Sequence, residues 1–206
     1  MKGLVLNSGG IDSPVATYVM GEHDLLTVHF DSSPYAVHTA EIAEKTVERL
    51  NEVLGKDISM ITIHHGNTLS EFLKKCGKDN IKYTCIFCKR MMLKTAERIA
   101  HMNQCDFLVT GENLGQVASQ TLQNIYVTSR AVSIPVVRPL IGLDKLDIIT
   151  IAENIDTYTI STEKAVPCKA VPQYPAIRAH LARVEAVEER FDIEGLIKKA
   201  LQTVTQ

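Results

Sequence analysis

With 206 residues, 45% of them hydrophobic and 22% charged, the chain is long enough for one domain that buries most of its apolar surface without disulfide staples. Lys plus Arg number 22 against 24 Asp plus Glu, a formal charge of -2, which excludes a global electrostatic drive toward nucleic acid and leaves any RNA contact to a local patch. No apolar run approaches a membrane span and the first strand starts almost at Met1, so we expect no signal peptide, no membrane contact and a reducing, cytoplasmic setting in which five cysteines stay unpaired.

The apolar run Leu4-Val5-Leu6 reads as a buried strand and leads into Ser8-Gly9-Gly10-Ile11-Asp12-Ser13, after which a helix is expected over 14–22. Gly9 and Gly10 let the backbone turn sharply and bring N–H groups close to a ligand. Ser8 and Ser13 add hydroxyls, and the helix adds its positive end, a combination that suits phosphate. The loop is neither a Walker A nor a GxGxxG sequence, and a strand-to-helix turn with no ligand is the competing reading. Residues 24–30 read as a second parallel strand whose carboxyl end lies beside the loop, 31–35 as a turn, and 36–54 as a crossover helix closed by Gly55. Strand period returns over 58–64, 107–109 and 134–137; helix period marks 69–73, 93–100 and 114–122, and a helix capped by Asp144 runs to 155. This alternation predicts an α/β fold, a doubly wound open parallel sheet. Beyond Ile160, Pro167, Pro172 and Pro175 mark an irregular stretch before amphipathic helices over 177–190 and 193–201. Residues 1–160 are therefore expected to form the main domain and 161–206 a C-terminal helical extension of it.

Thr84 reads as an N-cap, which sets Cys85 and Cys88 at a positive helix end beside Lys89 and Arg90, surroundings that lower a thiol pKa. A CxxC serves zinc, iron–sulfur and redox sites alike. Cys168, between Pro167 and Lys169, is the one further cysteine with functional surroundings, while Cys76 and Cys105 read as small buried hydrophobes. Three thiolates without a fourth partner suit an iron–sulfur cluster with one iron open, or a redox pair with a third, persulfide-carrying cysteine. His64 and His65, at a strand end, read as partner-satisfied rather than as zinc ligands.

The loop from Ser8 to Ser13 resembles the pyrophosphate (PP) loop of the ATP-pyrophosphatase superfamily, which cleaves ATP to AMP and pyrophosphate. Downstream, Cys88-Lys89-Arg90-Met91-Met92, the run from Thr110 to Thr121 (TGENLGQVASQT), Arg138-Pro139-Leu140-Ile141-Gly142 and Asp144-Lys145 resemble the catalytic domain of the tRNA 4-thiouridine synthetases, a family that in bacteria also supplies sulfur for the thiamine thiazole. The resemblance covers nearly the whole chain and implies an adenine nucleotide alpha hydrolase-like fold and an ATP-dependent sulfurtransferase. That enzyme adenylylates a carbonyl oxygen, uridine O4 in tRNA, and replaces it with sulfur. It further implies ATP contacts at Leu6, Asn7, Ser8, Gly9, Gly10, Ile11, Asp12 and Ser13, at His29 and Phe30 around the adenine, and at Lys89, Gly111 and Gln120. Residue chemistry agrees at Lys89, which offsets phosphate charge, and at Gly111, where a side chain would obstruct the ligand. Asp12 is assigned to Mg2+ or to orienting the loop, with helix capping as the bland alternative.

Cys85, Cys88 and Cys168 resemble the three-cysteine pattern of the archaeal branch, which implies a 4Fe–4S cluster at the sulfur-transfer site. The family's N-terminal RNA-binding region and a rhodanese-like domain are not expected here, so tRNA would be met through a separate RNA-binding protein and sulfur would come from sulfide, a persulfide carrier or the cluster. The last two helices are expected to mediate a homodimer. The rival readings are another PP-loop adenylylating enzyme of the tRNA 2-thiolation type and a non-catalytic nucleotide- or cluster-binding subunit.

Overall fold

The structure, a computed structural model, describes residues 1–163, 166 and 168–205; Pro167, one of the three prolines noted above, lies outside them. Five parallel strands form one sheet: β1 (Lys2–Leu6), β2 (Asp24–Asp31), β3 (Met60–His64), β4 (Phe107–Thr110) and β5 (Val136–Val137), in the order β3-β2-β1-β4-β5. Chain order runs outward from β1 in both directions, so the connections after β1 and β4 leave on opposite faces and a crevice opens between them. Leu6 pairs with Val28 of β2 and with Thr110 of β4, so β1 and β4 end level at that crevice while β2 runs on past them to Asp31.

Strand residues are apolar almost without break because helices cover both faces. Leu4, Val28, Ile63 and Leu108 point to one side, against Leu93, Ala96 and Ile99 of α4 (Thr84–Met102). Their neighbours Val5, Leu25 and Val109 point to the other, against α1 (Asp12–Val19), α2 (Thr39–Leu54) and α6 (Lys145–Asn154). A third apolar cluster joins α3 (Gly66–Lys75) and α4 to α8 (Leu181–Glu188) and α9 (Ile193–Leu201), with Phe72, Phe87 and Phe191 packed ring on ring. At its edge, fully buried Arg90 places Nε and Nη2 on the two carboxylate oxygens of Glu188 (2.6 and 2.9 Å) and Nη1 on the Val127 carbonyl of α5 (Leu122–Ser129) at 2.6 Å. No helix among the described residues is long and apolar enough to cross a membrane.

Several element expectations need correction. Residues 114–122 are not a helix: Gly115 turns with φ +77°, Ala118–Gln120 is a single 3-10 turn, and α5 starts at Leu122 because the Thr121 hydroxyl accepts from the Asn124 N–H as its N-cap. α4 begins at Thr84, well before 93, and Thr84 is its first helical residue rather than its cap, donating its hydroxyl back to the Ile81 carbonyl at 2.6 Å. Asp144 occupies the N-cap position of α6 without a capping side-chain bond. The helix expected from 177 forms only from Leu181, since Ala176 and Ile177 lend their carbonyls to Asn124 and Thr121 instead. A short α7 (Tyr158–Ser161) was not foreseen.

Candidate nucleotide and thiol site

The loop after β1 is built on Asn7, which is buried. Its Nδ2 donates to the Ala43 carbonyl and the Thr46 hydroxyl of α2 (both 3.2 Å), and its Oδ1 accepts from the Gly9 N–H (3.1 Å) and the Ser13 hydroxyl (3.0 Å). The Ser8 and Ser13 hydroxyls stand 3.1 Å apart, and each also accepts a loop N–H, Gly10 to Ser8 Oγ and Ser8 to Ser13 Oγ. The serines therefore hold the loop in shape rather than offering uncommitted donors, and a loop so cross-linked is rigid before any ligand enters. Gly9 has φ +75°, and a Cβ there would stand 2.9 Å from the Thr39 carbonyl oxygen. At Gly111 an added Cβ would meet the backbone of Asp12 and Ser13 at 2.8 Å, so the glycine lets the end of β4 seat against the first turn of α1, and it also lines the larger cavity over the strand ends.

Two adjoining cavities lie over the strand ends, about 250 and 190 Å³, sharing Leu6, Ser8 and Met92. The larger is walled by Leu6, Ser8, Gly10, Ile11, Asp12, Ser13, Lys89, Gly111 and Gln120, all predicted, together with Leu93, Thr110 and Glu112. The smaller takes in Asn7, His29 and Phe30, as predicted, with Ser32, Ala36 and Thr39. Of the predicted ATP contacts only Gly9 lines neither cavity, being turned toward α2. His29 is held as a wall residue: Nδ1 lies 2.8 Å from the Asn7 carbonyl, so it carries the proton, and Nε2, 3.1 Å from Thr39 Oγ1, accepts from the hydroxyl. Burial holds its pKa below the usual 6.5.

Charges cluster at the larger cavity. Asp12, in the first turn of α1, pairs with Lys145 Nζ at 2.5 Å. Glu112, nearly buried, binds Lys89 Nζ through Oε1 (2.7 Å) and Arg138 Nε through Oε2 (2.8 Å). Burial alone would raise the Glu112 pKa, but the two cations outweigh it and hold the carboxyl below its ordinary range, so it is ionised. Glu112, Arg138 and Lys145 stand in the motifs quoted above yet carried no assigned role; the available signal was a carboxylate just past one strand end with a cation just past the neighbouring one.

Cys85 and Cys88 lie one turn apart on α4, and Cys88 Sγ is 3.3 Å from Nε2 of fully buried His65, whose ring meets Phe30 edge-on at 5.7 Å. Phe30, a wall of the smaller cavity, is thus in packing contact with His65, which in turn touches the Cys88 sulfur. Cys168 returns over the loop after β2: Val166 bridges Val37, and the Lys169 N–H donates to the Tyr35 carbonyl at 2.8 Å. All three thiols are free and half-buried. The expectation that the helix start favours thiolate fails. Burial is the main cause that pushes the Cys85 and Cys88 thiols up; Cys85 and then Cys168 add to it at Cys88, Cys168 at Cys85, and nearby Lys89 does not offset them. His64 is partnered, by Asp31 at 3.3 Å, whereas Nδ1 of His65 has no partner among the described residues. Cys76 and Cys105 are buried, as expected. Three soft thiols fit iron–sulfur chemistry by donor type, but among the described residues no three His, Cys, Asp or Glu side chains converge closely enough to hold a metal ion. The Asp12 carboxylate lines the larger cavity and is a ligand type that Mg2+ takes beside substrate phosphates, with its Oδ1 paired to Lys145 in this structure.

A profile described as thiamine biosynthesis protein (ThiI) matches residues 1–193. The chain is 39% identical over 210 residues to a protein of Alkaliphilus oremlandii named "Probable tRNA sulfurtransferase", covering 98% of this chain and 52% of that one. A protein of the same name from Methanocaldococcus jannaschii is 43% identical over 197 residues, 93% of this chain and 50% of its own. The chain thus spans about half the length of the curated relatives it matches. It superposes with a TM-score of 0.91 and 34% identity, over 99% of this chain and 54% of the other, on a solved structure described as a 4-thiouridine synthetase–RNA complex with bound ATP.

Proposed function

The chain belongs to the thiamine biosynthesis protein (ThiI) family, and from that membership we propose that it is an ATP-dependent sulfurtransferase acting on tRNA. ATP lies across the two joined cavities, adenine against His29 and Phe30 and phosphates over the loop from Ser8 to Ser13, at Lys89, Gly111 and Gln120. The observation that carries the reading is the braced loop at the crevice between β1 and β4, the place where an open α/β sheet presents helix N-termini to an anion. Relatives named tRNA sulfurtransferases and a solved relative holding RNA and ATP support it.

The chemistry explains the parts. An amide-like carbonyl reacts poorly because oxygen leaves badly, so the uridine O4 attacks the α-phosphorus, the bond to pyrophosphate breaks, and an adenylate forms on O4. A sulfide-level sulfur then forms the C–S bond while the C–O bond breaks and AMP leaves with the original oxygen. The first N–H groups of α1, at Asp12 and Ser13, precede any intrahelical acceptor and stabilise charge that develops on the phosphates without reorganising. Asp12 holds Mg2+ or orients the loop through its bond to Lys145. Cys85, Cys88 and Cys168 deliver sulfur through their thiols, and no step passes through a cluster, because among the described residues no three such side chains converge closely enough to hold a metal ion. The donor of that sulfur is sulfide, or a persulfide carrier whose outer sulfur comes down to the sulfide level as a second thiol takes its place in a disulfide; the last two helices pair two copies, and the free thiols suit the cytoplasm.

Asp12 decides the reading at one residue. Asp12→Ala is expected to abolish pyrophosphate release from Mg-ATP with unmodified tRNA while the circular dichroism spectrum and melting temperature stay those of the wild type, because the carboxylate sits at the cleft and not in the core. Turnover within twofold of wild type would remove Asp12 from the chemistry.

A further inference from the structure

We propose that Glu112 is a positioning residue that fixes the Lys89 ammonium at the phosphate end of the cleft by acting as the shared acceptor between Lys89 and Arg138. The inference rests on the reading of that cleft as an ATP site. Glu112 follows Gly111 at the end of β4, and Arg138 follows Val137 at the end of β5, so two adjacent strands aim opposite charges at each other. Arg138 takes Oε2 at 2.8 Å, and Thr110 Oγ1 lies 3.4 Å from the same oxygen, which leaves Oε1 to Lys89 at 2.7 Å. Lys89 comes from α4 on the other side of the cleft, and both Lys89 and Glu112 line it. A lysine on a flexible four-carbon stem is thereby held in one place before nucleotide arrives.

The arrangement is a poor device for stability. One carboxylate faces two cations in a nearly buried setting, and Arg138 Nη2 is buried without a partner among the described residues. Such clusters are commonly no better than apolar packing, and an unpaired buried donor costs more still. What the cluster does supply is order: a lysine with its ammonium at a fixed point and a net positive charge beside the space meant for phosphates. The triphosphate then meets a preplaced ammonium that keeps its bond to Glu112 Oε1, while Arg138 on Oε2 offsets the charge of the carboxylate.

Bulk charge and positioning make opposite forecasts for Glu112→Gln. Removing a negative charge beside a polyanion strengthens ATP binding if charge alone matters. If Glu112 positions Lys89, the ammonium still finds a ground-state phosphate, so ATP KM stays within about threefold, while kcat for tRNA-dependent pyrophosphate release falls about tenfold to a hundredfold, the scale of a misplaced group. The deciding test is a cycle of Glu112→Gln, Lys89→Met and the double variant, read in kcat and, by calorimetry, in ATP affinity. Acting through Lys89 predicts a double variant no slower than Lys89→Met alone. Losses that multiply, or a Glu112→Gln enzyme within twofold of wild-type kcat, overturn the proposal. If Lys89→Met itself leaves both ATP affinity and kcat unchanged, the ATP reading of this wall has failed as well, and the two failures are told apart.

Discussion

Gly111 lacks a side chain because α1 occupies the space, with backbone atoms of Asp12 and Ser13 at 2.8 Å from where a Cβ would sit. Neither neighbour is a flexible side-chain end, so Gly111→Ala must push β4 and the start of α1 apart. We expect a loss of about 1–3 kcal/mol in denaturant unfolding, the usual cost of overpacking, and at least a tenfold loss of ATP affinity because the loop is carried on that turn. Unchanged affinity measured by calorimetry would show that the loop tolerates the shift. At this scale the sequence revealed which residues matter better than what they do. Ser8, Gly9 and Ser13 drew attention as ligand contacts, and the structure adds that they bond to Asn7 and to one another, a brace that depends on α2 holding Asn7 beside the loop, information that no local window contains. The thiols went wrong for a related reason: a helix start is visible in the sequence, whereas the burial that outweighs it is set by packing against α3 and the returning segment.

Helix α4 is the element on which the site turns, since it carries Cys85 and Cys88 on its first two turns, Lys89 and Met92 on the cleft and Arg90 toward the C-terminal helices. The Arg90–Glu188 pair fastens α8 to α4, and through Val127 it also fastens α5. Removing Arg90 leaves the buried Glu188 carboxylate with Lys94 alone, at 3.4 Å, so Arg90→Met is expected to cost about 3 kcal/mol in urea unfolding, the low end for a broken buried pair. The double variant Arg90→Met with Glu188→Leu should regain most of it, since an apolar pair of similar volume replaces the ions. Equal instability of the single and double variants would mean that the pair contributes packing and not charge compensation. Periodicity identified α4 only from residue 93, because its first two turns bury threonine, isoleucine and phenylalanine among polar neighbours and resemble no amphipathic stripe. Residues 114–122 misled in the opposite sense: their apolar spacing is helical, but Gly115 at φ +77° and the Thr121 cap define a loop followed by a helix.

On the scale of the whole molecule, strand and helix alternation sufficed to predict a doubly wound parallel sheet, because fully apolar strands between helical segments have few other ways to bury both faces. Strand order was not legible; it arises from which helices fit on which face, and it is what opens the crevice after β1 and β4. The family motifs located the cleft, and the structure adds the charge network that braces it. The central claim is that ATP activates a carbonyl oxygen of RNA for replacement by sulfur. Its most direct measurement follows that oxygen: unmodified tRNA carrying 18O at uridine O4 is incubated with the protein, Mg-ATP and sulfide, and the nucleotide products are analysed by mass spectrometry. The account predicts AMP bearing the 18O in amounts equal to the thiolated uridine formed; unlabelled AMP alongside thiolated RNA, or ADP as the product, would contradict it.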